Sequence, residues 1–117
     1  LYDILSSGYN DRGQLGNGTR ISSSEFKIIH TLAEKNIIQI SSGMQHNACM
    51  DDEGKIYVWG SNSLGQLGIT HYIQQGLKRL YPNVLKSLID EKFYARSIVC
   101  GENHCVAIGK NGEVYTW

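Results

Sequence analysis

The chain repeats itself, and that repetition limits its possible folds more than any other feature. Gly8-Tyr9-Asn10-Asp11-Arg12-Gly13-Gln14-Leu15-Gly16 returns 52 residues later as Gly60-Ser61-Asn62-Ser63-Leu64-Gly65-Gln66-Leu67-Gly68. Gly43-Met44-Gln45-His46 returns 58 residues later as Gly101-Glu102-Asn103-His104, and Gly54, Tyr57 and Trp59 return at the same offset as Gly112, Tyr115 and Trp117. The six extra residues lie between Gly68 and Gly101. Aligning Leu32 with Leu88 places four of them before Leu88 and two after. Units that keep their motifs while one connection varies in length behave as stacked modules with a variable surface loop.

Inside each unit the residues read as strand. Asn47-Ala48-Cys49-Met50 and Lys55-Ile56-Tyr57-Val58-Trp59 flank Asp51-Asp52-Glu53-Gly54, a short hairpin connection with glycine where φ turns positive. The second copy is clearer. Cys105-Val106-Ala107-Ile108 and Glu113-Val114-Tyr115-Thr116-Trp117 bracket Gly109-Lys110-Asn111-Gly112, and Asn-Gly is a strong hairpin signal. Residues 37–42 and 95–100 give a third strand before each Gly-x-x-His step, and residues 26–32 and 84–88 are candidates for a fourth. Asn83 to Lys92 also has helical spacing in Val84, Leu85, Leu88 and Ile89, with Pro82 suited to a first turn. The matching segment Phe26-Lys27-Ile28-Ile29-His30 is β-rich, so the expectation is strand.

Units of about 50 residues with about four short strands each point to an all-β fold, a β-propeller fragment of about two blades of four-stranded antiparallel sheet. Repeat one covers about residues 4–55 and repeat two about 56–113, and residues 114–117 open a third. Blades taper toward the axis, and Ser41-Ser42-Gly43, Cys100-Gly101, Ala48-Cys49 and Val106-Ala107 are small enough for that crowded inner position. Two blades cannot close a ring. The chain, which starts without Met, therefore reads as a segment of a longer protein. Made alone, it is expected to self-associate through uncovered blade faces and strand edges.

These motifs carry a resemblance. Gly-x-x-His, a glycine turn, then Tyr-x-Trp-Gly-x-Asn-x-x-Gly-Gln-Leu-Gly resembles the repeat of the regulator of chromosome condensation family. It runs from Gly43 through His46, Gly54, Trp59, Gly60, Asn62, Gly65, Gln66 and Leu67 to Gly68, and again from Gly101 through His104 and Gly112 to Trp117. An earlier copy survives as Gly8 to Gly16, with Ser7 in place of tryptophan. The resemblance implies a seven-bladed propeller. It also implies a founding activity, guanine nucleotide exchange on a Ran-type small GTPase together with nucleosome binding, alongside members that serve as scaffolds, sensors or parts of ubiquitin ligases.

Composition narrows the function classes. Eleven basic residues balance eleven acidic ones, so no global field draws in nucleic acid or anionic lipid. No apolar run is long enough to span a bilayer, and no secretory signal opens the sequence. Cys49, Cys100 and Cys105 form an odd set without framework spacing, which fits reduced thiols in an intracellular protein, nuclear if the exchange reading holds.

Single residues follow the repeat. His46 and His104 recur once per unit, which suits a residue that holds backbone better than a catalytic site built once. Asn10, Asn62, Gln14 and Gln66 read as side chains tying turns and satisfying buried backbone groups. The turn glycines lack the lysine and helix of a phosphate loop. Trp59 and Trp117 read as core between blades. Cys100 and Cys105 bracket His104, but Cys49 adds at most a third thiol and zinc wants about four ligands, so no metal site is expected. No catalytic or cofactor-binding residue is assigned, and no cofactor is expected. The remaining candidate is the variable connection, residues 69–81, where His71, Tyr72, Lys78, Arg79 and Tyr81 form the one basic-aromatic cluster, a candidate partner-binding loop. The expected role is a protein-interaction platform, with exchange-factor activity as the alternative. A Ran-type GTPase and histones are the candidate partners.

Overall fold

Asp51 closes the first hairpin. Its Oδ1 accepts from the backbone N–H of Glu53 at 3.0 Å and of Lys55 at 2.9 Å, and its Oδ2 accepts from the Tyr57 hydroxyl at 3.2 Å. Gly54, at φ +86°, completes the turn. The chain is described by a computed structural model over residues 3–69 and 78–117. Its strands are β1 (Leu5–Gly8), β2 (Ser23–Ile28), β3 (Ile37–Ser42), β4 (His46–Asp51), β5 (Ile56–Ser61), β6 (Lys78–Val84), β7 (Ala95–Cys100), β8 (Cys105–Gly109) and β9 (Val114–Thr116). A 3-10 turn at His30–Leu32 and a short helix, α1 (Lys86–Asp90), complete the elements.

All pairings are antiparallel, in sheets ordered β1-β2, β3-β4-β5-β6 and β7-β8-β9. The four-stranded sheet is one whole blade, flanked by parts of two others. The copies match in detail. β3 and β7 carry a register shift at the same place, Ile37/Gln39 and Ala95/Ser97. Ile29 donates to the Ile4 carbonyl as Leu85 donates to the Ile56 carbonyl, both at 2.8 Å.

Period-two alternation puts the core between sheets. On β4 and β5, Ala48, Met50, Ile56 and Val58 turn one way. They pack with Leu67, Leu85, Phe93, Ala95, Ile98, Cys105 and Ala107, residues that include the face of the next sheet. Cys49, Tyr57 and Trp59 turn the other way, onto Ile29, Leu32 and Ile37. The innermost strands β3 and β7 run close together. Gln39 Oε1 and Ser41 Oγ of β3 accept from the backbone N–H groups of Ile98 and Cys100, the latter at 2.8 Å. Ile38 and Ile40, on the opposite face of β3, are exposed. Among the described residues no helix is long and apolar enough to cross a membrane.

The outer part of each blade departs from expectation. Residues 83–92 are strand only at their start: β6 ends at Val84 and α1 begins at Lys86. The candidate fourth strands 26–32 and 84–88 shift accordingly, to Ser23–Ile28 followed by a helical turn and to Lys78–Val84 followed by α1. The reason is that β6 is the outer edge of its sheet, where Pro82 lacks an N–H that no neighbour requires. Leu85 then anchors the corner in the core, and Leu88 packs onto it from the helix.

Sheets are joined where tryptophan meets a turn glycine. A Cβ on Gly16 (φ +69°) would lie 2.9 Å from Trp59 Nε1, whereas one on Gly65 (φ +80°) would meet nothing within 4 Å. Gly65→Ala should therefore cost only the left-handed backbone penalty, about 1–2 kcal/mol. Gly16→Ala should cost measurably more, because the indole must also move. Urea unfolding followed by tryptophan fluorescence checks the order, and equal losses would contradict it.

Candidate functional site

The polar side chains of the repeat motif turn inward. Buried Asn10 donates through Nδ2 to the carbonyls of Thr19 (2.9 Å) and Ile21 (3.0 Å), and its Oδ1 accepts from Leu15 N–H at 2.9 Å. Asn62 Oδ1 accepts from Leu67 N–H at 3.1 Å. Gln14 and Gln66 each accept a backbone N–H at 2.8 Å, from Arg12 and Leu64. The Gln14 carbonyl in turn receives Trp59 Nε1 at 2.9 Å and Asn47 Nδ2 at 2.7 Å, so the turn of one repeat is bolted to the sheet of the next. Their hydrogen bonds lie within turns and across seams.

The candidate partner-binding residues divide. His71 and Tyr72 lie outside the described residues. Lys78, Arg79 and Tyr81 are not in a loop, as the sequence suggested, but on edge strand β6, with Gly60 opposite Arg79 and Ser61 opposite Lys78. The segment is strand because it follows β5 in register and lies on the preceding repeat's turn: Gly18 N–H donates to the Leu80 carbonyl at 2.9 Å. Tyr81 reaches the same turn, against Gly18, while half its surface stays exposed.

A second constellation emerges at the seam between the four-stranded sheet and β7–β8. Cys100 and Cys105 are a cross-strand pair with sulfurs 3.4 Å apart. The histidine that joins them is not their neighbour His104, which is exposed, but His46 of the preceding unit, whose Nε2 lies 3.3 Å from Cys105 Sγ. Cys49 does not join, because it points out of the opposite face of β4. The three donor atoms lie within 4.8 Å of one another. His46 and Cys105 are buried and Cys100 is half-buried. Sequence reasoning weighed the adjacent histidine; the usable signal was parity, since His46 stands on the same face of β4 as Ala48 and Met50, the face that meets the next blade.

The thiols differ sharply. The hydrogen bond from Cys105 lowers the Cys100 thiol below its usual range, outweighing the burial that raises it, and His46 adds to the lowering. Cys105 is pushed up by that same hydrogen bond, by burial and by the charge of Cys100. Burial, helped by Asp51, pushes Cys49 up to about 12. Burial first, and then the charge and hydrogen bond of Asp51, raise Tyr57 to about 12.

Successive antiparallel sheets, fused through cores between them and tied by a repeated turn motif, define a β-propeller. The description "Regulator of chromosome condensation (RCC1) repeat" matches residues 3–50 and 53–108, and a second description of the same repeat matches residues 37–66. The chain belongs to the RCC1 repeat family. Over 113 residues it is 33% identical to the serine/threonine-protein kinase Nek9 of Mus musculus, covering 97% of this chain and 11% of the kinase. Over 116 residues it is 34% identical to the probable E3 ubiquitin-protein ligase HERC4 of Homo sapiens, covering 98% of this chain and 10% of the ligase. It thus spans about a tenth of the length of these relatives. In fold it is similar to human WBSCR16 (TM-score 0.84, 22% identity, 98% of this chain and 28% of that one). It is also similar to Prp20p of Saccharomyces cerevisiae (TM-score 0.83, 21% identity, 98% and 28%), a protein described with its binding to Gsp1p and histones.

The thiol ordering is open to test. Iodoacetamide, with EDTA present, should label Cys100 first and at a rate nearly flat from about pH 6 to about pH 8, because the reactive thiolate is already formed. Cys49 should stay unlabelled until the chain unfolds. Mass spectrometry of timed digests reads both, and a Cys100 rate that rises steeply with pH would contradict the ordering.

Proposed function

We propose that this chain is a segment of a longer RCC1-type propeller and serves as part of a protein-interaction platform. The observation that carries the proposal is the inward commitment of the motif side chains. Asn10, Asn62, Gln14, Gln66 and Trp59 hold turns and seams, which leaves contact with other molecules to the variable connections and to strand edges such as β6. Lys78, Arg79 and Tyr81, with His71 and Tyr72 beside them in sequence, form a basic-aromatic cluster whose arginine and tyrosines are of the kinds favoured as anchors in protein interfaces. The relatives add support, because a kinase and a ubiquitin ligase each contain a stretch like this one as a small part of a much longer chain.

A second reading is nucleotide exchange on a Ran-type GTPase, with histone binding and a nuclear location. The fold likeness to Prp20p speaks for it. Exchange of this kind works by loops wedged against the GTPase, so it requires neither a covalent residue nor a cofactor.

The deciding measurement is release of labelled GDP from a Ran-type GTPase by the full-length parent. The platform reading expects no acceleration, whereas acceleration by several orders of magnitude favours exchange. In parallel, replacing Lys78, Arg79 and Tyr81 with alanine should weaken the parent's binding to its co-purifying partner by about tenfold or more. Unchanged affinity would remove the β6 surface from the proposal.

A further inference from the structure

We propose that His46, Cys100 and Cys105 form a zinc-binding site that staples one blade to the next. The donor set is one imidazole nitrogen and two thiol sulfurs, the combination that thiolate-seeking d10 ions take in preference to magnesium or calcium. The distances fit. Zinc–sulfur bonds of about 2.3 Å and zinc–nitrogen bonds of about 2.0 Å put tetrahedral donors roughly 3.5–3.8 Å apart. The sulfurs stand 3.4 Å apart, the nitrogen 3.3 Å from Cys105 Sγ, and all three donors lie within 4.8 Å of one another, so small side-chain rotations bring them around one ion.

The donors are held by rigid elements. His46 opens β4 and pairs with Gly60, and the two cysteines face each other across the β7–β8 ladder. The imidazole is buried, and its Nδ1 has no hydrogen-bond partner among the described residues. Its one polar contact is therefore through Nε2, toward the sulfurs. A Cβ on Gly43 would lie 2.5 Å from Nδ1, so glycine there leaves the ring its room.

Comparison of the two repeats argues against a merely structural pair. The positions of Cys100 and Cys105 are occupied in the first unit by Ser42 and Asn47, whose Oγ and Oδ1 are bonded at 2.6 Å, and Asn47 also donates to the Gln14 carbonyl at 2.7 Å. Where the second unit carries cysteines, the matching contact is a thiol 3.6 Å from the Gln66 carbonyl, and Trp117 Nε1, counterpart of the bonded Trp59 Nε1, makes no carbonyl hydrogen bond among the described residues. The second unit thus exchanges the oxygen and nitrogen hydrogen bonds of the first for weaker contacts through sulfur, and gains a soft donor pair beside a histidine. The site has three protein ligands, and the half-buried side at Cys100 leaves a fourth position for water. Binding takes both thiols as thiolates and releases the protons they carried.

The test uses the full chain, reduced and kept anaerobic. Zinc is titrated against a chromophoric chelator, and cobalt(II) is substituted to read sulfur-to-cobalt charge transfer. One equivalent per chain is expected, with charge-transfer bands and a higher melting temperature when zinc is present. Cys100→Ser/Cys105→Asn installs the pair the first repeat already uses, so it keeps the fold while abolishing uptake and the zinc-dependent melting shift. His46→Gln should weaken binding at least about tenfold. The proposal is overturned by no uptake, by uptake that survives the double variant or is indifferent to His46→Gln, by a Cys100–Cys105 disulfide persisting under reductant in place of binding, or by uptake of copper(I) with none of zinc.

Discussion

The middle strands of the four-stranded sheet, β4 and β5, are largely apolar on both faces, so the sheet is buried only between two others. β4 shows the constraint in six residues. His46, Ala48 and Met50 serve the core shared with β7 and β8, while Cys49 serves the core shared with the turn at His30–Leu32. Burial of this kind is worth roughly 25 cal/mol per Å² of apolar surface. Part of it depends on each neighbour, so removing either sheet exposes a face that water does not tolerate. Exposed Ile38 and Ile40 lie on such a face.

Stacking alone would let sheets slide, and the motif residues prevent it. The Gly-Gln-Leu-Gly turn presents one backbone carbonyl, that of Gln14, to two side chains of the next sheet, Trp59 and Asn47. The glycines let the indole approach, and the glutamine and asparagine amides hold the turn so that its carbonyl points correctly. The Gly43–His46 and Gly101–His104 turns are joined in the same way near the axis, where Met44 N–H donates to the Glu102 carbonyl at 3.0 Å. Motif residues far apart in sequence thus act as one joint, which explains why they recur as a set.

Self-comparison of the sequence made most of this legible, because most residues of the joint recur once per blade. Both hairpins, the third strands at residues 37–42 and 95–100 and the core role of Trp59 follow from spacing and alternation. The outer edge did not follow. Leu85 and Leu88 carry helical spacing beside a β-rich counterpart, and only the sheet tells where the strand must stop: at the corner where Leu85, like Ile29, turns into the core. Lys78–Tyr81 read as loop because they fall in the connection whose length varies between the repeats, yet an outer strand tolerates all of them. The His46–Cys100–Cys105 cluster was illegible for a different reason. Its members belong to different sheets, and proximity in the chain favoured His104.

A joint repeated once per blade has a consequence for function. The turn glycines, the glutamine and asparagine of the turn, and the tryptophan recur in both copies, so what distinguishes the copies is the connection after Gly68, the β6 edge, and positions where they differ in chemistry. Ser42 and Asn47 against Cys100 and Cys105 is such a difference, and it falls inside a seam. A change on the surface alters the chemistry that the propeller presents. A change in a seam alters how firmly two blades hold each other, and hence how rigidly the loops on either side are presented. The two kinds of variation are separable because the sheet between them is already fixed by its two cores.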